Sequence, residues 1–162
     1  MKHLFWVGLY VSGCGSPEGG GAPQGATLVG RIQGTEFLEP EEAASIWLEN
    51  EAQGLGALRL SEGTDGCGAP DGWSLLVQVN LQDPGHYDLG PQGAEPGKGF
   101  LVEYRRDDGS LDMPAQASGT LDVVAKEEAV VAGSLVLSTS DNATLTAVFE
   151  APVCPATALI TP

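Results

Sequence analysis

From about residue 26 onward, short apolar runs alternate with clusters of Gly, Pro, Asp and Asn, about one run every ten residues. Leu28, Gly30 and Ile32 share one face of a first strand, with Thr27, Val29 and Arg31 on the other. Leu55–Leu60 reads as a strand ending before a turn-rich loop from Ser61 to Pro70. Trp73, Leu75, Val77 and Val79 alternate with Ser74, Leu76, Gln78 and Asn80, the period of two expected of a strand. Pro84–Asp88 reads as a turn entering a short edge strand, and Phe100–Tyr104 as a core strand before the Asp107-Asp108-Gly109-Ser110 turn. The last third predicts three consecutive strands, at 121–124, 129–137 and 144–149, with hairpin tips at Lys126-Glu127-Glu128 and Ser140-Asp141-Asn142. In the final strand Leu145, Ala147 and Phe149 oppose Thr144, Thr146 and Val148. This rhythm predicts an all-β fold, an antiparallel sandwich or barrel of about eight strands.

One segment departs from the rhythm. Pro40-Glu41-Glu42-Ala43-Ala44 places proline and acids where a helix would begin, so local propensity predicts a short helical turn at 40–44. The β context predicts a strand from about 45 to 49, with Ile46 and Leu48 opposite Trp47.

The N terminus has a different pattern. A basic start (Met1, Lys2, His3) leads into an apolar run from Leu4 to Val11, which ends in Val11-Ser12-Gly13-Cys14. The run is too short to span a bilayer, which takes about 20 residues, and it has the layout of a secretion signal. The residues around Cys14 resemble the lipobox of bacterial lipoproteins. That resemblance implies cleavage before Cys14, acylation of its thiol and, with Gly15 following, an outer-membrane address. A signal cut elsewhere or a buried first strand are the alternatives. Residues 1–13 are thus read as a lipoprotein signal peptide, 14–25 as a Gly/Pro-rich tether and 26–162 as a single β-domain.

Charge narrows the partners. Without Lys2, six cationic side chains face 22 acids. So acidic a chain disfavours nucleic acid and direct contact with an anionic bilayer, and its scattered carboxylates suit a solvated surface. Membrane contact is therefore expected through the lipid anchor alone. Of the three cysteines, lipidation would consume Cys14 and leave Cys67 and Cys154 to form one disulfide in an oxidising compartment. A zinc site is the alternative, but the sequence has no CxxC and only His86 as a histidine beyond the signal.

Ser118–Leu121, Val131–Leu135 and Phe149–Cys154, with Leu60, Ser61 and Cys67, resemble a block seen in uncharacterised secreted lipoproteins of high-GC soil bacteria. The resemblance implies a β-sandwich or barrel and a Cys67–Cys154 bridge, and carries no activity with it.

Candidate chemistry is sparse. His86 sits in a Pro-Gly turn without a GxSxG elbow and reads as a surface residue rather than a base. Asp107, Asp108 and Asp112 form a weak calcium candidate that lacks the EF-hand order of acids. Asn142-Ala143-Thr144 fits a glycan sequon but reads as a hairpin tip. No cofactor is expected. The functional expectation is an acyl-anchored cell-envelope lipoprotein, a non-catalytic binding or structural module that meets an envelope protein or glycan. A lipocalin-like small-ligand carrier is the alternative, and a carboxylate-dependent hydrolase a more distant one.

Overall fold

The computed structural model describes residues 25–32, 35–64, 66–79, 83–90, 98–105, 108–112, 118–139 and 142–156. The signal, Cys14 and nearly all of the tether lie outside them. The described chain is all-β: β1 (Gly25–Ile32), β2 (Thr35–Asn50), β3 (Leu55–Thr64), β4 (Pro70–Val79), β5 (Gly85–Leu89), β6 (Lys98–Arg105), β7 (Leu111–Asp112), β8 (Ser118–Lys126), β9 (Val130–Ser138) and β10 (Thr144–Pro155). The ten strands exceed the expected eight or so partly because β7 is a separate two-residue strand; the strand expected at 45–49 extends back to Thr35 as one long β2.

The strands form one curled, mostly antiparallel sheet, a half-barrel in the order β4-β3-β2-β1-β10-β9-β8-β5-β6-β7. Its ends are drawn together where β6 pairs with β4 from Ser74↔Arg105 to Val79↔Gly99. β5 is therefore no edge strand: it lies between β8 and β6, antiparallel to the first and parallel to the second.

The curl is made by β2. Thr35–Ala43 pairs with β1, whereas Ala44–Asn50 pairs with β3, so the strand passes from one layer to the other near Ala43. The helical turn expected at 40–44 is therefore absent, and this stretch is strand. Glu41, Glu42 and Ala43 are held against Leu28, Thr27 and Ala26 of β1, and this pairing overrides local helical preference. Pro40, which has no N–H to give a ladder, falls where the β1–β2 register shifts.

Side chains from both layers fill the interior. Leu28, Phe37, Trp47, Leu58, Leu75, Tyr104, Leu121 and Leu135 are all buried in one cluster. Phe37 of β2 meets Trp73 of β4 edge to face, with ring centroids 5.3 Å apart. The Thr35 and Tyr104 hydroxyls share a 2.5 Å hydrogen bond, joining β2 to β6. β10 alternates as its sequence predicts, with Leu145, Ala147 and Phe149 buried and Thr144, Thr146 and Val148 exposed. Gly56 makes room for the fully buried Trp47 indole, whose Cζ2 would lie 2.4 Å from an added Cβ.

Cys67, in the loop between β3 and β4, is bonded to Cys154 on β10 with their Cα atoms 5.5 Å apart. Cys154 is buried beside Leu48, where the last residues of β10 run parallel to β2. A smaller apolar cluster of Leu55 and Ala57, packed by Leu48, Leu76 and Ala156, lies on that side of the sheet. Ala156 is tied down by donating its backbone N–H to Glu49 O at 2.8 Å.

Candidate functional site

The site begins where β1 begins. Up to Gly25, β1 separates β2 from β10; beyond it the two converge, and the Ser45 hydroxyl donates to Glu150 O at 2.9 Å. Across this level of the sheet the sequence supplies small residues on adjacent strands: Gly25 and Ala26 on β1, Ala43 and Ala44 on β2, Ala132 and Gly133 on β9. Their missing bulk leaves an open groove of about 830 Å³, running from the bend of β2 over β1, β10 and β9 to β8. That volume lies within the range of about 300–1,000 Å³ typical of small-ligand sites.

Gly133 has to be glycine. A Cβ there would sit 2.1 Å from Asp122 O and 2.9 Å from Phe149 Cζ. The groove floor thus lies directly over the Phe149 ring, one layer above the core.

Two residues stand up from this floor. Val124 is the extra residue of a β-bulge, since Val123 pairs with Gly133 and Ala125 with Ala132. The bulge turns it outward, and it is 73% exposed. Val148 is 67% exposed on β10, opposite Thr27. Every large hydrophobic that the described residues expose (Val29, Val124, Val136 and Val148) lies on this same outer face of β1 and β8–β10.

Carboxylates form the rim. Glu42, Glu62 and Glu150 all line the groove, and none has a salt bridge or hydrogen-bonded side-chain partner among the described residues. Glu62 faces a second irregularity, where Ser61 pairs with Ser74 but Gly63 with Asp71. Opposite it, Gly72 (φ +62°) leaves the carboxylate its place, 1.9 Å from where a Cβ would be. Three of the described cations are engaged away from the groove: Arg31 with Glu36 at 3.8 Å, Lys126 with Glu49, and Arg59 donating to Gly68 O at 2.5 Å.

The residues singled out by sequence fall elsewhere. His86 lies on β5, not in a turn, with Nδ1 2.6 Å from Asp122 Oδ1 and Nε2 3.4 Å from Asp88 Oδ1. The hydrogen bond and charge of Asp122, with a smaller push from Asp88, raise the His86 pKa above its ordinary value. It does not line the groove. Of the calcium candidates, Asp107 lies outside the described residues, Asp108 caps its turn by accepting from Ser110 N at 2.8 Å, and Asp112 is in β7, paired with Tyr104. Among the described residues no three His, Cys, Asp or Glu side chains are grouped to hold a metal ion, and no helix is long and apolar enough to cross a membrane. Asn142 has φ +57° and donates its N–H to Thr139 O at 3.0 Å, as a hairpin tip requires. The groove was missed by sequence reasoning because its walls come from six strands. The weak local signal was the recurrence of pairs of Gly and Ala at 25–26, 43–44 and 132–133. Compared with known protein families, curated proteins and solved structures, the chain finds no match among any of the three.

Proposed function

We propose that this chain is a lipid-anchored envelope protein, acylated at Cys14 in the outer membrane, whose β-domain acts as a non-catalytic binding module through the open groove on its outer face. The observation that carries the reading is the Cys67–Cys154 bond, which leaves Cys14, at the end of the apolar run, as the remaining cysteine. An oxidised pair fits an exported domain. A third thiol placed eleven residues before β1 fits an attachment point rather than a structural partner.

Binding is supported over carriage by where the space lies. Trp47, Tyr104, Phe37 and their neighbours occupy the interior of the described sheet, while the groove opens outward. A non-catalytic role is supported by the position of His86, exposed and held between two aspartates away from the groove. An envelope protein, a glycan or a smaller ligand could occupy a groove of this size.

Intact mass of the membrane-extracted protein tests the anchor. The expected species begins at Cys14, carries acyl chains and is two hydrogens lighter than the reduced form. A chain beginning upstream of Cys14 with a free thiol there overturns the anchor. Turnover by the full chain on a panel of envelope substrates would overturn the non-catalytic role.

A further inference from the structure

We infer that the groove takes an amphiphilic organic cation, an apolar body ending in an amine or quaternary ammonium group. The inference rests on the groove being the binding surface and adds the chemistry of its occupant. Three features converge on that class. The floor is apolar, with Phe149 beneath Gly133, and Val124 and Val148 stand exposed above it. This offers an alkyl or ring system a place to leave water. The three rim carboxylates have no cation of their own, so a positive group that enters displaces nothing and gains the attraction of all three. A bulge on β8 and a register shift beside Glu62 aim Val124 and Glu62 at the same space, so both the apolar and the anionic contact depend on departures from regular pairing.

Other occupants fit less well. An anionic lipid or fatty acid meets the glutamates with like charge. A second copy of the chain brings a net charge of −15. The tether, residues 14–25, contains Glu18 and neither Lys nor Arg. The groove also opens at Gly25, and the eleven residue steps from Cys14 to Gly25 reach at most about 40 Å. An anchored domain would therefore present the groove close to the bilayer surface, where amphiphiles concentrate.

The test uses three probes of one length and different charge: octylammonium, 1-octanol and octanoate. Each is titrated into the full chain, and binding is followed by the methyl shifts of Val124 and Val148. Octylammonium is expected to bind about tenfold more tightly than octanol, with octanoate weakest, and the gap is expected to shrink at high salt. In the Glu42→Gln, Glu62→Gln, Glu150→Gln variant, octanol binding is expected to persist while the preference for the amine falls to within about threefold. Glu42 and Glu62 are exposed and Glu150 half-buried, and Ser45 binds the Glu150 backbone oxygen rather than its carboxylate, so the variant is expected to melt as the parent does. Equal binding of amine and alcohol by the parent would overturn the cation assignment and leave the groove as a binding surface. Amine preference surviving in the variant would also overturn it, by placing the cation elsewhere. Shifts at neither valine with any probe would overturn the groove as well.

Discussion

Replacing Cys67 by Ser and Cys154 by Ala removes the cross-link with little else changed. Cys67 is exposed, and Ala leaves no polar atom at the buried Cys154 site. The two residues are 87 apart in sequence. Constraining a loop of that length lowers the entropy of the unfolded chain by an amount equivalent to about 4.6 kcal/mol at 25 °C. The lost Cys154 sulfur contacts add about 1 kcal/mol or less. A domain of this size has about 5–15 kcal/mol in total, so the loss is a large fraction of it. The corresponding fall in melting temperature is about 10–20 °C. Local structure near the bond should survive, because β10 is also held by Val153 N donating to Ala129 O and Ala156 N to Glu49 O, at 2.9 and 2.8 Å. Urea denaturation of parent and double variant, followed by tryptophan fluorescence, measures the difference, and reducing agent should bring the parent to the variant's midpoint. A loss under about 1 kcal/mol with an unchanged urea dependence would refute the reasoning. It would mean that the unfolded chain is already as confined without the bond as with it.

Gly56→Ala is expected to cost about 1–3 kcal/mol, since the new methyl must displace the buried Trp47 indole from 2.4 Å. Urea denaturation checks it, and unchanged stability with unchanged tryptophan emission would contradict that packing. His86 is expected to titrate above 6.5, and Asp122→Asn should bring it back down. Because the folded value is the higher one, its stabilising contribution is fully present below pH 6.5 and is lost as pH rises through the folded value. Ring-proton NMR across that range measures it, and a midpoint at or below 6.5 would contradict the Asp122 contact.

What the sequence made legible was whatever depends on alternation along one strand. The side-chain pattern of Thr144–Phe149 reads directly as outward and inward faces, and Trp73, Leu75, Val77 and Val79 are buried as their alternation suggests, although Ser74 and Gln78 on the other side of β4 are buried as well. Counting pairs Cys67 with Cys154, because a chain expected to be exported leaves few other uses for two thiols, and the two are bonded. Pro40–Ala44 was misread because local preference speaks for a helix, while the partner that decides the matter, Leu28 to Ala26, lies some fifteen residues upstream. Val124 and Glu62 could not be assigned from sequence at all. Their roles come from a bulge and a register shift, which depend on how two strands are slid against each other.

The position of β1 has a mechanical consequence. β1 is flanked by β2 on one side and β10 on the other, rather than hanging at an open margin. Tension delivered through Gly25 along the strand must shear both ladders together instead of unzipping one rung at a time. With the anchor proposed at Cys14, the domain would be gripped at a seam that resists being pulled apart.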